Sequence, residues 1–105
     1  MANKKIGTSE RPRLAVFRSH QNIYAQIIND SEASTIVASS TLEKEIKEEI
    51  SNGRTCEAAY LVGLKIGQKL LEKKITKVVF DKGNRPFHGR IKALAEGAKK
   101  AGLDF

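Results

Sequence analysis

The sequence predicts a single α/β domain. A three-stranded antiparallel meander plus a fourth strand form its mixed sheet, packed with two main helices and one short helix in the order βββ(α)αβα. Within residues 11–39, apolar and polar side chains alternate, as in strands with one buried face. From residue 41 the apolar side chains recur with helical spacing, and 105 residues suit one modest core. We expect a short basic flexible arm at 1–11 and one domain at 12–105.

The first two strands form a predicted hairpin within residues 11–26, which turns near Ser19 to Asn22. After a second turn around Asn29 to Ser31, residues 35–39 form a third strand antiparallel to the second. One face of the hairpin is apolar and closes on a core; it comprises Leu14, Val16, Ile23, Ala25 and Ile27. The other face carries Arg13, Ala15, Phe17, Asn22, Tyr24 and Gln26.

A short helix follows, because Leu42, Ile46 and Ile50 stand four residues apart in a segment rich in glutamate and lysine. These three side chains are expected to lie against the body, and Asn52-Gly53 to end the helix. The residues expected in solvent are Glu43, Glu45, Lys47 and Glu48.

Thr55 is the predicted N-cap of a longer helix that runs to about Lys73. Its predicted buried stripe comprises Ala59, Gly63, Ile66, Gly67 and Leu70, with Leu64 and Leu71 beside it. Glycine inside a helix costs about 1 kcal/mol relative to alanine. We therefore expect Gly63 and Gly67 to allow a close approach to the sheet.

Residues 77–81 (KVVFD) predict a buried fourth strand, which can lie parallel to an earlier strand because a helix precedes it. A loop at 82–88 leads to a last helix at about 89–100. The side chains predicted to face the core from this helix are Ile91, Leu94, Ala95 and Ala98.

The net charge of +7 is unevenly distributed along the chain. Residues 31–57 hold six acidic and three basic side chains, whereas the segments on both sides are basic. This pattern favours one surface facing a polyanion and one turned away from it. No run of 18 apolar residues, signal peptide or transit peptide is recognisable, so we expect the protein to work where it is made, without a membrane partner.

Few residues of the sequence are suited to catalysis or metal binding. The single cysteine, Cys56, fits a reducing compartment and is expected to be a small buried residue. It and the two histidines, His20 and His88, match no zinc-ligand spacing. A metal-dependent RNA nuclease of ribonuclease-H-like fold is the alternative, but the first strand lacks the carboxylate it needs. Asp81 is expected to cap the following loop or hold Lys82.

Two segments instead suit RNA. Tyr24 stands between Asn22 and Gln26 on the polar face of the hairpin, where a ring can stack on a base; for Phe17, core and surface positions stay equally open. The loop GNRPFHGR at 83–90 lacks the spacing of a nucleotide-binding loop. Its basic residues, with Lys82 before it, surround a helix N-terminus that favours a backbone phosphate; they are Lys82, Arg85, His88 and Arg90.

The blocks RPRLAVFRS, IYAQ, IVASS and FHGRIKALAEGAKKAGLDF, in this order, resemble ribosomal protein L eighteen, the 5S-rRNA-binding family of the bacterial-type large ribosomal subunit. The resemblance runs from Gly7 to Phe105, and the block RPRLAVFRSHQ resembles cyanobacterial and plastid members. It implies a structural protein that is not an enzyme, needs no cofactor and has no small-molecule substrate. It also implies that the protein binds 5S rRNA and helps attach it to 23S rRNA in the central protuberance, beside neighbouring large-subunit proteins.

The implied location is the ribosome, in the plastid stroma or the bacterial cytoplasm. Together, the hairpin, the arm, the loop and the resemblance give a predicted RNA-binding set: Lys4, Lys5, Arg11, Arg13, Arg18, Ser19, His20, Asn22, Tyr24, Gln26, Lys82, Arg85, His88 and Arg90. Many family members carry about twenty further basic residues at the N-terminus. A shorter arm predicts a shallower salt dependence of RNA binding. The hairpin is then expected to supply a larger share of the RNA contacts. Binding to any polyanion without specificity is the third hypothesis.

Overall fold

The order of elements along the chain confirms the predicted fold class. The computed structural model describes residues 6–19, 21–49, 55–83 and 89–105. Its strands are β1 (Arg13–Arg18), β2 (Ile23–Asn29), β3 (Ser34–Ser40) and β4 (Val79–Asp81). Its helices are α1 (Lys44–Lys47), α2 (Cys56–Glu72) and α3 (Gly89–Ala101).

The four strands form one sheet in the order β3-β2-β1-β4. β2 is antiparallel to both β1 and β3, and β4 is parallel to β1. The apolar hairpin residues predicted for the core are all buried, in one cluster with side chains of α2 and α3. Because strand side chains alternate, Arg13, Phe17 and Tyr24 lie on the opposite face. The domain is therefore a two-layer arrangement with helices on one face of the sheet.

Helices α2 and α3 meet through glycines. The predicted stripe of α2 is buried, but the close approach expected between its glycines and the sheet is wrong. A Cβ on Gly63 would overlap the carbonyl oxygen of Leu94, and a Cβ on Gly97 would overlap that of Tyr60. Gly67 faces Ala98 and Ala101 in the same way. The local pattern identified the buried face of the helix, but α3 covers these positions.

The fourth strand is shorter and less buried than predicted. β4 spans only Val79–Asp81, and its residues are half-buried because it lies at the edge of the sheet. Val78 is buried, and Lys77 forms an isolated parallel bridge with Asp104. Phe80 stacks on Phe105 with ring centroids 5.3 Å apart. The last described residues therefore hold the start of β4 in place.

The short helix is shorter than predicted, and some of its predicted side-chain positions differ. Ile46 is buried as expected, but Leu42 is 49% exposed because α1 begins only after it, at Lys44. Glu45, Lys47 and Glu48 are exposed, as predicted. The helix end predicted at Asn52-Gly53 is wrong, because α1 already ends at Lys47, where the Glu49 N–H donates to the Ile46 carbonyl oxygen in a tighter turn. Ile50, Asn52 and Gly53 themselves lie outside the described residues.

Glu43 is half-buried, not in solvent as predicted. Its Oε1 accepts hydrogen bonds from the Ser39 hydroxyl and the Ser40 backbone N–H, and its Oε2 pairs with Lys69 Nζ. Lys69 Nζ also donates to the Ala38 carbonyl oxygen at 2.7 Å. Burial raises the pKa of Glu43, but the hydrogen bonds from Lys69, Ser39 and Ser40 outweigh it and hold the pKa below the ordinary 4.5. The carboxylate thus joins β3, α1 and α2.

The lowered pKa gives Glu43 a stabilising effect that is present above about pH 4.5 and is lost as the pH falls through the folded-state pKa. Glu43→Gln is expected to reduce the free energy of unfolding at pH 7 by about 1 kcal/mol and to flatten its loss in acid. Urea denaturation between pH 3 and pH 7 measures both. Glu45→Gln is the matched control, because Glu45 pairs with Lys65 while its side chain is 70% exposed. Equal acid sensitivity of Glu43→Gln and the parent would contradict this role.

The start of α2 confirms one prediction and corrects another. The Thr55 hydroxyl accepts from the Ala58 backbone N–H at 3.0 Å, as an N-cap does. Cys56 is exposed, not buried as expected, because the buried face of α2 begins only at Ala58 and Ala59. In the described ranges, no helix is long and apolar enough to cross a membrane.

Candidate nucleic-acid interface

The face of the sheet opposite the helices carries two aromatic rings. Phe17 and Tyr24 are cross-strand partners in β1 and β2, and Phe17 is 46% exposed. Phe17 therefore lies on the surface and not in the core, a choice that the sequence left open. Tyr24 is half-buried, and Gln26 follows two residues along the same face, beside Ala15. Tyr24 and Gln26 also line a shallow depression of about 240 Å³ with Ser40 and Glu43. This face offers flat rings and an amide to a ligand.

The turn of the hairpin is fixed by its own polar groups. Ser19 N–H donates to the Asn22 carbonyl oxygen at 2.9 Å, and Asn22 N–H donates to Ser19 Oγ at 3.1 Å. The Asn22 side-chain oxygen accepts from the hydroxyl of buried Thr41 at 2.9 Å. The Asn22 amide is therefore held in one orientation, with its NH₂ group as the donor for a ligand. Sequence reasoning missed Thr41, since nothing local links it to a residue 19 positions away.

Arg18 is exposed at the end of β1, next to this turn. Because side chains alternate along β1, Arg18 lies on the same side of the sheet as Val16, where the helices pack. β4 is parallel to β1, so Lys82 follows its last residue at the same end of the sheet. α3 begins at Gly89, with Arg90 in its first turn. The hairpin turn, Arg18, Lys82 and Arg90 thus share one end of the domain.

Arg90 has an unusual environment. Its Nη1 is buried, yet the described residues offer it no hydrogen-bond partner. Arginine is always charged, and leaving a charged donor unsatisfied is costly. The exposed residue before it, Gly89, has a φ of 61°, which favours glycine. A guanidinium beside the free N–H groups of a helix N-terminus is suited to an anion.

Asp81 caps the loop that leads to this site, as predicted. Its Oδ1 accepts from the Gly83 N–H at 2.9 Å, and its Oδ2 accepts from Arg13 Nη1 at 2.9 Å. Its carboxylate is thus bonded to protein groups on both sides. Such an arrangement stabilises the end of β4.

Arg13 lies at the other end of β1 from the hairpin turn, between two carboxylates. Its Nε and Nη2 donate to the two oxygens of Asp30 at 3.0 and 3.1 Å, and its Nη1 reaches Asp81. Asp30 also accepts from the Gly7 N–H at 2.6 Å. The hydrogen bond to Asp30 raises the pKa of Arg13, burial opposes this, and the bond to Asp81 adds to it. The guanidinium therefore joins three separate segments of the protein.

The predicted RNA-binding set is divided by the fold. Arg18, Ser19, Asn22, Lys82 and Arg90 gather at one end, and Tyr24 and Gln26 lie on the open face. Arg11, which is exposed, and Arg13 lie at the opposite end of β1. Lys4, Lys5, His20, Arg85 and His88 lie outside the described residues.

The whole chain, residues 1–105, matches the family described as ribosomal L18 of archaea, bacteria, mitochondria and chloroplast. The chain belongs to this family. The resemblance noted in the sequence is thus confirmed, and with it the ribosomal location and a structural role in the large ribosomal subunit.

Individual relatives agree with the family match. Large ribosomal subunit protein uL18 of Trichodesmium erythraeum is 58% identical over 102 residues, which are 97% of this chain and 85% of that protein. Protein uL18c of Cyanophora paradoxa is 59% identical over 103 residues, with the same coverage of 97% and 85%. Protein uL18c of Guillardia theta is 54% identical, covering 98% of this chain and 96% of its own length. These relatives include bacterial and plastid proteins.

Proposed function

We propose that this ribosomal protein binds 5S rRNA and helps attach it to 23S rRNA in the central protuberance of the large subunit. The interface consists of the hairpin turn, the open aromatic face and the start of α3. The observation that carries the proposal is the exposed ring of Phe17 beside Tyr24 on the open face, next to the end of the domain that holds Arg18, Lys82 and Arg90.

The groups divide into two kinds of RNA contact. Phe17 and Tyr24 stack on unpaired bases, which contributes about 1 to 3 kcal/mol per base. The Asn22 NH₂, held by Thr41, donates to a base edge or phosphate. Arg18, Lys82 and Arg90 bind phosphates. The protein thus holds the Asn22 amide in place before RNA arrives.

The acidic residues of α1 border this interface and limit it, since Thr41, which bonds to the Asn22 side chain, leads into α1. α1 follows β3, at the edge of the sheet opposite β4, and its exposed Glu45 and Glu48 repel phosphates. This edge is the surface we assign to solvent or to neighbouring proteins of the central protuberance. Arg13 is assigned to the fold, because two carboxylates already occupy its donors.

Binding to 5S rRNA and to transfer RNA, measured by filter retention across a salt series, tests the proposal. The parent protein is expected to prefer 5S rRNA at every salt concentration. Arg18→Ala and Arg90→Ala are each expected to weaken 5S binding and to reduce the salt slope by about 0.7 to 0.9, the share of one phosphate contact.

Lys44→Ala removes an exposed positive charge from α1 and is the matched control, with unchanged binding to 5S rRNA. Circular dichroism establishes that every variant is folded. Equal affinity of the parent for the two RNAs would support a protein that binds any polyanion. Full 5S binding by folded Arg18→Ala and Arg90→Ala would overturn the assigned interface.

A further inference from the structure

A shallow groove lies between α1 and the outer side of α2. Its volume is about 180 Å³, and it is open to solvent. Its apolar lining comes from both helices and consists of Ile46, Leu61 and Leu64. The charged side chains that line it are Glu45, Glu49 and Lys65. We name the space between these six residues the α1-α2 groove.

The α1-α2 groove has the size and lining for one apolar side chain. A cavity of about 150 Å³ holds a benzene molecule. The 180 Å³ of the groove therefore admits a leucine or phenylalanine side chain. Leu61 and Leu64 are only half-buried, although the face of α2 that meets the sheet and α3 is fully covered. An inserted apolar side chain would remove the rest of their surface from water, which is favourable.

The surroundings of the groove are acidic, in a protein whose net charge is +7. Glu45 and Glu49 line the groove on the α1 side, and Glu57 is exposed one turn before Leu61 on α2. Lys65 is the one cation in the charged lining, and it pairs with Glu45. Within the described ranges, no ion pair involves Glu49 or Glu57. These two carboxylates are therefore open to positive charges of another molecule.

Helix dipoles explain only some of these carboxylates. Glu45 and Glu57 lie in the first turns of α1 and α2, where a negative charge is favourable. Glu48 and Glu49 follow the last residue of α1, where the dipole disfavours a negative charge. Lys47, whose charge suits this end of α1, does not line the groove. Negative charge beside the groove is thus not required by the helices, and it complements a basic partner.

We propose that the α1-α2 groove binds a basic segment of another protein, which inserts one apolar side chain between the two helices. The inserted leucine or phenylalanine contacts Leu61 and Leu64, while lysines or arginines beside it pair with Glu49 and Glu57. Nucleic acid does not fit this surface, because the same carboxylates repel phosphates. That the partner is a neighbouring protein of the large subunit rests on the proposed function. The chemistry of the groove does not depend on it.

Two synthetic peptides that differ in one residue test the groove on the free, full-length chain. The first has a central leucine flanked by lysines on both sides, and in the second a serine replaces the leucine. The leucine peptide is expected to shift the backbone amide NMR signals of Ile46, Leu61 and Leu64. The serine peptide is expected to bind about tenfold more weakly, because it lacks the apolar anchor. Equal affinity of the two peptides, or shifts confined to the hairpin turn, would overturn the proposal.

Glu49→Lys and Glu48→Lys form a matched pair of variants. They change the charge equally at adjacent exposed positions, of which only Glu49 lines the groove. Glu49→Lys is expected to weaken binding of the leucine peptide about fivefold, and Glu48→Lys by less than about twofold. Circular dichroism establishes that both variants are folded. Equal affinities of the two variants would show that the peptide responds to overall charge and not to the groove, which would overturn the proposal.

Cross-linking of carboxylates directly to lysines in isolated large subunits, read by mass spectrometry, tests for the natural partner. The link from Glu45 to Lys65 within the chain is the internal control, because these side chains already pair. A link from Glu49 to a lysine of another protein, a few residues from an apolar side chain, is the expected result. Its absence where the control link is found would overturn docking of a subunit protein. If the parent does not prefer 5S rRNA, the proposed function fails, whereas the peptide results on the free chain still decide the groove.

Discussion

Gly63→Ala is expected to destabilise the protein more than any other single methyl addition on α2. The new Cβ overlaps the Leu94 carbonyl oxygen, which belongs to the α3 backbone and cannot rotate away. Separating α2 from α3 also disturbs the contact of Gly97 with the Tyr60 carbonyl oxygen. Overpacking of this kind costs about 3 kcal/mol or more, which exceeds the gain of about 1 kcal/mol in helix propensity. A small domain loses much of its stability by such a change.

Urea denaturation followed by circular dichroism measures this loss. Gln68→Ala is the control, because Gln68 is exposed on the same helix and its replacement keeps or slightly raises the free energy of unfolding. A Gly63→Ala protein as stable as the parent would show that α2 and α3 separate without cost, contrary to the close packing described.

Arg13→Met is expected to have the second-largest effect, and to act on stability and not on RNA. The change leaves Asp30 and Asp81 without their shared cation, and the Arg13 side chain that joins them is only 21% exposed. Breaking a buried ion pair costs about 3 to 5 kcal/mol, so this partly exposed triad is expected to lose about 2 to 3 kcal/mol. Methionine preserves most of the side-chain volume, which separates the loss of charge from the loss of packing.

Thermal denaturation and 5S binding at a temperature where the variant is folded separate the two roles of Arg13. The triple variant Arg13→Met, Asp30→Asn, Asp81→Asn removes the unpaired charges together and is expected to recover part of the stability. If Arg13→Met is as stable as the parent but binds 5S rRNA weakly, Arg13 is an RNA contact, as the sequence predicted, and our assignment of it to the fold is wrong.

The contrast between Arg13 and Arg18 shows how far sequence reasoning extends to the site. Alternation along β1 correctly predicted the face on which Arg13 lies. It could not predict that strand register brings Asp30 and Asp81 to it from 17 and 68 residues away. Among the residues that the structure describes, no carboxylate pairs with Arg18, and Arg18 is exposed at the hairpin turn. The types of residue in the site were predictable, whereas their tertiary partners were not.

The same limit applies to the fold. Periodicity predicted all seven elements and the buried stripe of α2, because burial acts on each segment locally. It assigned Gly63 to the wrong neighbour, since a stripe identifies which side is covered and not which element covers it. Glu43 was expected in solvent for a related reason, because its partner Lys69 lies 26 residues further along the chain.

The edge position of β4 affects the order in which the chain can fold as it is synthesised. The meander β1 to β3 is complete at residue 40, but the backbone of β1 lacks its parallel partner until residues 79–81 have emerged. The bridge from Lys77 to Asp104 forms later still. During this interval one edge of β1 is open to pairing with other chains. A nascent chain of this protein is therefore most exposed to aggregation after the meander has formed and before its last residues have been added.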